Sequence, residues 1–524
     1  MKGYAGYEYI PFDGERFFTV VLLPEKGGRF PTVIFRSPYV GDAVDKTEDE
    51  VTHSVFTANE GWLNRGYAVV YQHCRGQGKS TGAFIPYVHE REDGLALREW
   101  IRRQSFYNGE LFLLGGSYTA SLHYETAPFE ADVRGAVFEV QDAERYRLWY
   151  RGGQMRKGHA NWHFALYKSK CGLHKTFDWR AFSQLPLANL SERVLGDRAE
   201  DFEQMLDAPS PEHPFWRTRF GGDCTRGATS NARIPLLLTT GYNDFYVGGV
   251  FRMWEEMDGE TREQSALLVS PYDHGDGYDP ENGLCFPEGK RSERFGETYP
   301  IDWLDHIRKG TPIPFKTGVI TYYRAFENRW AEDFAALPVE ELALALETGI
   351  RTFCYDPLKP PAFSGEGSFA REDDPEGEWI RVCTTPLDRD VFVKGRMRAV
   401  LTVESDCPDT SFYVRISLKT SQYTYVLRHD ITSLGFQRGA YTPHTVVSLS
   451  FCFDEHAFWL KKGECLQVDI AATDDNTYIS HTNRAGTYAR QETAVTAPNT
   501  VHLDDSYLFL PIEQECSTNS PNFG

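Results

Sequence analysis

From its start to about Trp330, the chain alternates short apolar runs with helix-patterned segments. The runs are Phe17–Leu23, Thr32–Arg36, Tyr67–Tyr71, Leu111–Leu114, Gly135–Val140, Pro235–Thr240 and Ser265–Ser270. Several are apolar throughout, the pattern of strands buried on both faces of a mostly parallel sheet. A chain that alternates such strands with helices folds as α/β layers. Leu97, Trp100, Ile101 and Gln104 share one helical face, which predicts a helix over about Asp93–Gln104.

Two departures divide the chain. Gln141–Ser230 has few strand-like alternations and many aromatic and charged residues, among them Tyr146, Trp149, Tyr150, Trp162, Phe164, Tyr167 and Trp216. It reads as a helical insert. After about Ala335 the period changes to two: Met397, Ala399, Leu401 and Val403 form one row, Phe412, Val414, Ile416 and Leu418 a second, and Leu466, Val468 and Ile470 a third. Arg398, Val400 and Thr402, then Tyr413, Arg415, Ser417 and Lys419, then Gln467 and Asp469 fall on the opposite face, which should meet water. This is the pattern of an all-β sandwich or jelly roll. Pro357–Phe363 and Gly365–Glu378 read as loop at its edge. The expected organisation is an α/β domain over 1–140 and 231–335, a helical cap over 141–230 and a β jelly roll over 336–524.

Composition narrows the function. With Lys plus Arg at 55 against Asp plus Glu at 75, the formal charge is −20, which repels phosphate backbones and anionic lipid heads. Neither nucleic acid nor a membrane is an expected partner. There is no apolar stretch of about 18 residues to span a bilayer, and the opening MKGYAGYEYIPFDGERF lacks the apolar segment of a secretory leader. The ten cysteines are scattered without a CxxC pair, as for free thiols in a reducing cytoplasm. No His/Cys/carboxylate spacing suggests a metal, and no cofactor is expected. Arg75-Gly76-Gln77-Gly78-Lys79-Ser80 lacks the spacing of a phosphate loop and reads as a structural loop at a strand end.

The sharpest local signal is Leu111-Phe112-Leu113-Leu114-Gly115-Gly116-Ser117-Tyr118-Thr119-Ala120. An apolar strand runs into glycines, a serine and then a helix expected through about Ala127, the setting of a nucleophile elbow. The sharp turn needs small residues beside the serine, and the following helix aims its N–H groups at developing negative charge. A serine hydroxyl also needs a histidine to take its proton and a carboxylate to orient that histidine. In α/β-hydrolases these follow in the order Ser, Asp or Glu, His, each on a loop after a strand. Pro235–Thr240 leads into Gly241-Tyr242-Asn243-Asp244, and Ala266–Ser270 leads into Pro271-Tyr272-Asp273-His274-Gly275. Ser117, Asp244 and His274 are therefore the candidate triad. Asp273 and Asp276 are rival carboxylates, Asp273 disfavoured because a sequence neighbour seldom faces the ring it would hold.

Gly66-Tyr67-Ala68-Val69-Val70-Tyr71-Gln72, then Arg75–Ser80, Glu92-Asp93-Gly94, Asn108-Gly109 and Gly115-Gly116-Ser117-Tyr118 follow one another in an order that resembles the cocaine-esterase-like hydrolases. These are grouped with the Xaa-Pro dipeptidyl-peptidases and α-amino-acid ester hydrolases. The two loops bearing Asp244 and His274 are similar to that family's acid and base loops, and the region after Ala335 resembles its jelly roll. The resemblance implies an oxyanion hole made by the Tyr39 hydroxyl, in Ser37-Pro38-Tyr39, and the backbone N–H of Tyr118. The chain departs from the family at Thr119, where glycine is usual, and at Ser37, where asparagine is common.

The expected activity is hydrolysis of an ester or amide acyl bond of a small substrate through an acyl-enzyme. Phe245, Tyr246, Trp149 and Trp162, with Tyr118, are candidate walls of an aromatic pocket. The partner is then a small ester or short peptide, and a homodimer is allowed. Xaa-Pro dipeptidyl-peptidase activity, acyl transfer on the same triad, and a non-catalytic carbohydrate-binding protein built on the jelly roll are the alternatives.

Overall fold

A computed structural model describes residues 3–169, 179–218, 231–334, 339–371 and 378–513. The boundaries drawn at Ser230 and Ala335, and residues 372–377 of the Gly365–Glu378 loop, lie outside the described residues.

The apolar runs form a single ten-stranded sheet. Its strands are β1 (Tyr4–Phe12), β2 (Glu15–Leu23), β3 (Phe30–Ser37), β4 (Ala68–His73), β5 (Tyr107–Gly116), β6 (Val133–Glu139), β7 (Leu236–Gly241), β8 (Ala266–Ser270), β9 (Ile320–Arg324) and β10 (Arg329–Ala331). Their spatial order is β1-β2-β4-β3-β5-β6-β7-β8-β9-β10. From β4 through β9 every neighbouring pair is parallel, while β1, β2 and β10 add antiparallel edges. This is an α/β-hydrolase sheet. Val33, Phe112, Val137, Leu237 and Leu268 are buried towards one layer of helices and Ile34, Leu111, Leu113, Leu236 and Leu267 towards the other, which is why these strands read as continuously apolar. The helix Glu90–Arg102 packs by Leu97 and Ile101. β1, β9 and β10 escaped the sequence reading: β1 and β10 are partly exposed edge strands with a weaker apolar signal, whereas β9 is buried throughout but reads as Ile320-Thr321-Tyr322-Tyr323-Arg324, with little aliphatic character.

Between β6 and β7 the described residues form the helices Arg145–Trp149, Lys157–Leu166, Leu190–Leu195, Glu200–Leu206 and Pro214–Thr218. They bury an aromatic core of their own, including Trp149, Phe164, Phe202 and Trp216, and it runs on into Tyr118 and Tyr246 of the α/β domain.

From Val339 to Glu513 all strand pairing is antiparallel, in a seven-stranded and a four-stranded sheet. The smaller sheet runs Ile380–Cys383, Cys465–Ala471, Ser411–Lys419, Thr424–Ser433. The rows Met397–Val403, Phe412–Leu418 and Leu466–Ile470 meet in one core between the sheets. The wet outer face expected for Tyr413, Arg415, Ser417, Gln467 and Asp469 is corrected: all five are buried. Arg415 donates to the Asp469 carboxylate at 2.6 and 3.0 Å and stacks on Phe363, which lies flat on Tyr413. The segment ending at Phe363 thus folds over the sheet as a lid on its polar face, and a buried charge pair takes the place of water.

Candidate active site

Each residue of the candidate triad sits in the turn or loop after the carboxyl end of a strand. Ser117 joins β5 to the helix Tyr118–Tyr124 with φ 55° and ψ −132°, a conformation that side-chain-bearing residues rarely adopt and that costs roughly 1–3 kcal/mol. The surroundings hold it there. Its N–H donates to the Glu139 carbonyl of β6 at 2.8 Å. A Cβ on Gly115 would stand 2.4 Å from the carbonyl group of Thr119, so glycine is required for the strand and helix to approach this closely. Thr119 fits the elbow by turning its hydroxyl back. It accepts from the Gly116 N–H at 2.8 Å and donates to the Gly116 carbonyl at 2.7 Å.

The loops after β7 and β8 bring Asp244 and His274 together. Asp244 is completely buried, and its Oδ1 lies 3.1 Å from His274 Nδ1. The same oxygen accepts the Tyr246 N–H at 3.0 Å, and Oδ2 faces the Thr240 hydroxyl at 3.4 Å. The fully buried Arg291, held at the Thr240 carbonyl, lies close enough for its charge to feel Asp244. These contacts offset the cost of burying an anion. The rival carboxylates have other partners: Asp273 accepts the N–H groups of Gly275 and Gly277, and Asp276 binds Ser270 and Arg291. Asn243 ties the assembly together, donating to the Pro271 carbonyl at 3.0 Å and to Tyr425 of the sandwich at 3.3 Å.

Aromatic residues link the histidine to the serine. Phe245 lies parallel to the His274 ring with centroids 5.1 Å apart, and Tyr246 lies 5.4 Å from it. The Tyr246 hydroxyl approaches Ser117, as does that of Tyr39. Burial raises the pKa of both phenols, and the contact with Ser117 only partly opposes this, so both remain protonated donors. Trp162 Nε1 donates to the Tyr39 hydroxyl at 2.9 Å. Ser37 accepts the Tyr39 N–H at 3.0 Å, fixing the turn that presents the phenol.

Tyr118 turns its side chain away from this surface. Its hydroxyl donates to the Glu90 carboxylate and accepts the Tyr87 N–H. Its backbone N–H begins the helix, among the groups without a partner inside it. Trp162 packs 5.0 Å from the Tyr118 ring. Trp149 is placed elsewhere: it is fully buried in the helical insert against His159, His163 and Phe202. The sequence reading passed over Glu90, Arg291 and the Trp162–Tyr39 bond, because they act through partners distant in the chain. Among the described residues no group of three His, Cys, Asp or Glu could hold a metal, and no helix is long and apolar enough to cross a membrane.

Comparison with known proteins agrees with this architecture. Residues 13–276 match the family model described as X-Pro dipeptidyl-peptidase (S15 family), and residues 343–508 match that of the X-Pro dipeptidyl-peptidase C-terminal non-catalytic domain. The chain belongs to the S15 peptidase family. It is a serine hydrolase by this membership. It is 23% identical to a cocaine esterase of Rhodococcus sp. (strain MB1 Bresler), over 95% of this chain and 96% of that one. Among solved structures it resembles an α-amino acid ester hydrolase, with TM-score 0.79 and 16% identity, and an aminopeptidase of a marine sediment Thaumarchaeota archaeon, with TM-score 0.78 and 18% identity. Each likeness covers 98% of this chain and 97% of the other. At these identities the structural likenesses speak to the fold of this S15 family member.

Proposed function

We propose that this chain hydrolyses an ester or amide acyl bond of a small substrate through Ser117, His274 and Asp244. The observation that carries the reading is the His274–Asp244 pair, with a buried carboxylate 3.1 Å from Nδ1, joined through Tyr246 to a serine held at a strained strand–helix turn. With Nδ1–H donating to Asp244, Nε2 is the free base. Ser117 Oγ loses its proton to Nε2 and adds to the substrate carbonyl. The Tyr39 hydroxyl and the Tyr118 N–H donate to the resulting oxyanion. His274 then protonates the leaving group, and water repeats the sequence on the acyl-enzyme.

Esters are the substrate class we put first. Phe245, Tyr246, Tyr39 and Trp162 give the reaction centre an aromatic wall suited to an apolar acyl group, and the cocaine esterase relative matches nearly end to end. A fluorophosphonate probe tests the triad: it should label the wild type and fail on Ser117→Ala. Lack of labelling of both proteins refutes the reading and favours a binding role for the jelly roll. p-Nitrophenyl esters assayed beside aminoacyl and Xaa-Pro anilides then separate esterase from dipeptidyl-peptidase. Product analysis with an added alcohol or amine identifies an acyltransferase.

A further inference from the structure

Away from the site, two thiols share the outer face of the smaller sandwich sheet. Cys383 ends the strand Ile380–Cys383 and stands opposite Gln467 of the strand Cys465–Ala471. Residues two apart on a strand face the same way, so Cys465 lies on the same face as Gln467, one diagonal step from Cys383. On its other side Cys465 stands directly opposite Lys419. The Lys419 ammonium nevertheless lies 4.0 Å from the Cys383 sulfur, so it reaches across the strand that carries Cys465. The Cys465 thiol in turn lies near enough to Cys383 for the two to influence each other's ionisation. Both are free thiols and both are partly exposed. A cation beside one of two adjacent, accessible sulfurs is the setting of a reactive thiol with a resolving partner.

We propose that Cys383 and Cys465 form an oxidation site that closes to a cross-strand disulfide when the protein meets hydrogen peroxide. The Lys419 ammonium, 4.0 Å from its sulfur, sets Cys383 to react first, as the thiolate. That thiolate attacks one peroxide oxygen, the O–O bond breaks, and the departing hydroxide takes a proton to become water. Cys383 is left as a sulfenic acid. The Cys465 sulfur then attacks the Cys383 sulfur, the S–O bond breaks, and a second water leaves with the Cys465 proton. In sum two thiols lose two electrons and one peroxide becomes two waters. Burial, and then the neighbouring Cys383, push the Cys465 thiol up to about 11 against the Lys419 charge, in keeping with its taking the second step. Diagonal neighbours stand about 7–8 Å apart, just beyond what a disulfide spans without backbone movement. Cys383 can make up the difference, because it ends an edge strand with a ladder on one side only.

The test uses the full-length wild type, fully reduced and then treated with hydrogen peroxide. Remaining thiols are alkylated and the protein is digested without reductant for mass mapping. The expected product is one linked peptide pair joining Cys383 to Cys465, reversed by dithiothreitol. In Cys465→Ser, Cys383 should instead be trapped by dimedone as the sulfenic acid. Lys419→Gln should slow loss of the Cys383 thiol by at least about three-fold. Recovery of both cysteines as alkylated thiols, while the exposed Cys285 and Cys452 oxidise, would overturn the proposal. So would Cys465 linked to any other cysteine, or an unchanged rate in Lys419→Gln. The wild-type map decides even where a serine variant fails to fold.

Discussion

Trp162 Nε1 donates a hydrogen bond to the hydroxyl oxygen of Tyr39 at 2.9 Å, joining the helical insert to the loop after β3. The bond occupies a lone pair of the phenol and leaves its proton to point towards Ser117. Tyr39→Phe removes that donor and should lower kcat by on the order of 10²–10³ with little change in KM. Trp162→Phe leaves the donor but frees its orientation, and should lower kcat by about ten-fold. Steady-state hydrolysis of a p-nitrophenyl ester measures both. A Tyr39→Phe enzyme with wild-type kcat would remove Tyr39 from the oxyanion hole.

Three aspartates lie near His274 in sequence or space, and the structure pairs only Asp244 with its ring. Asp244→Asn should lower kcat by on the order of 10³–10⁴, because the amide can stabilise the wrong tautomer of the imidazole. Asp273→Asn alters a turn and should retain more than about a tenth of the activity. Equal losses in the two variants would contradict the assignment of Asp244.

The Thr119 hydroxyl closes a small ring with the backbone of Gly116. Thr119→Val keeps the shape and deletes both bonds, leaving a polar backbone pair unsatisfied. Stability should fall by about 1–3 kcal/mol in urea denaturation, and kcat should fall with it as Ser117 loses its strained geometry. Thr119→Ser should restore both. A Thr119→Val enzyme of wild-type stability would show that the hydroxyl merely fills space.

Glu90 is a buried carboxyl that accepts from Tyr118, and burial first, then repulsion from Glu125 and Asp93, pushes it up from 4.5 to about 7 against Arg36 and the Tyr118 bond. A carboxyl raised on folding binds its proton more tightly in the native state. Its contribution is therefore fully present below the unfolded value and is lost as pH rises from about 4.5 to about 7. The loss should reach at most about 3 kcal/mol. Glu455 is raised to about 7 in the same way and adds to the same window. Denaturant melts at intervals across that range should show wild-type stability declining, with a shallower decline in Glu90→Gln. An identical slope in that variant would exclude Glu90 as a contributor.

The sequence exposed the parts of this protein that depend on local pattern. Mostly apolar runs marked β2 to β8, because a strand covered on both faces has few polar positions to spare. Chain order put Ser117, Asp244 and His274 after β5, β7 and β8. Relationships set by packing were hidden. The polar row Tyr413, Arg415 and Ser417 promised a wet surface, and the packing of Phe363 over Arg415, with Tyr478 beside Tyr413, makes it an interior. Trp149 and Trp162 looked alike as aromatic residues of the insert, yet one lies in its core and the other touches Tyr39. Which side of a helix faces a site depends on tertiary contacts that a single chain pattern does not encode.

Gly241 permits the meeting of acid and base loops. A Cβ there would stand 2.2 Å from the Tyr272 carbonyl oxygen, a backbone atom that cannot turn aside. Gly241→Ala must push the loop after β7 from the loop after β8, and these carry Asp244 and His274. A displacement of about 1 Å at the imidazole should lower kcat by roughly 10². Gly275, next to His274, has open space where its Cβ would go. Gly275→Ala should therefore leave kcat within about two-fold and stability within about 0.5 kcal/mol of wild type. The pair separates loop spacing from general sensitivity around His274. If Gly241→Ala hydrolyses esters at the wild-type rate, close contact between the two loops is not what aligns Asp244 with His274.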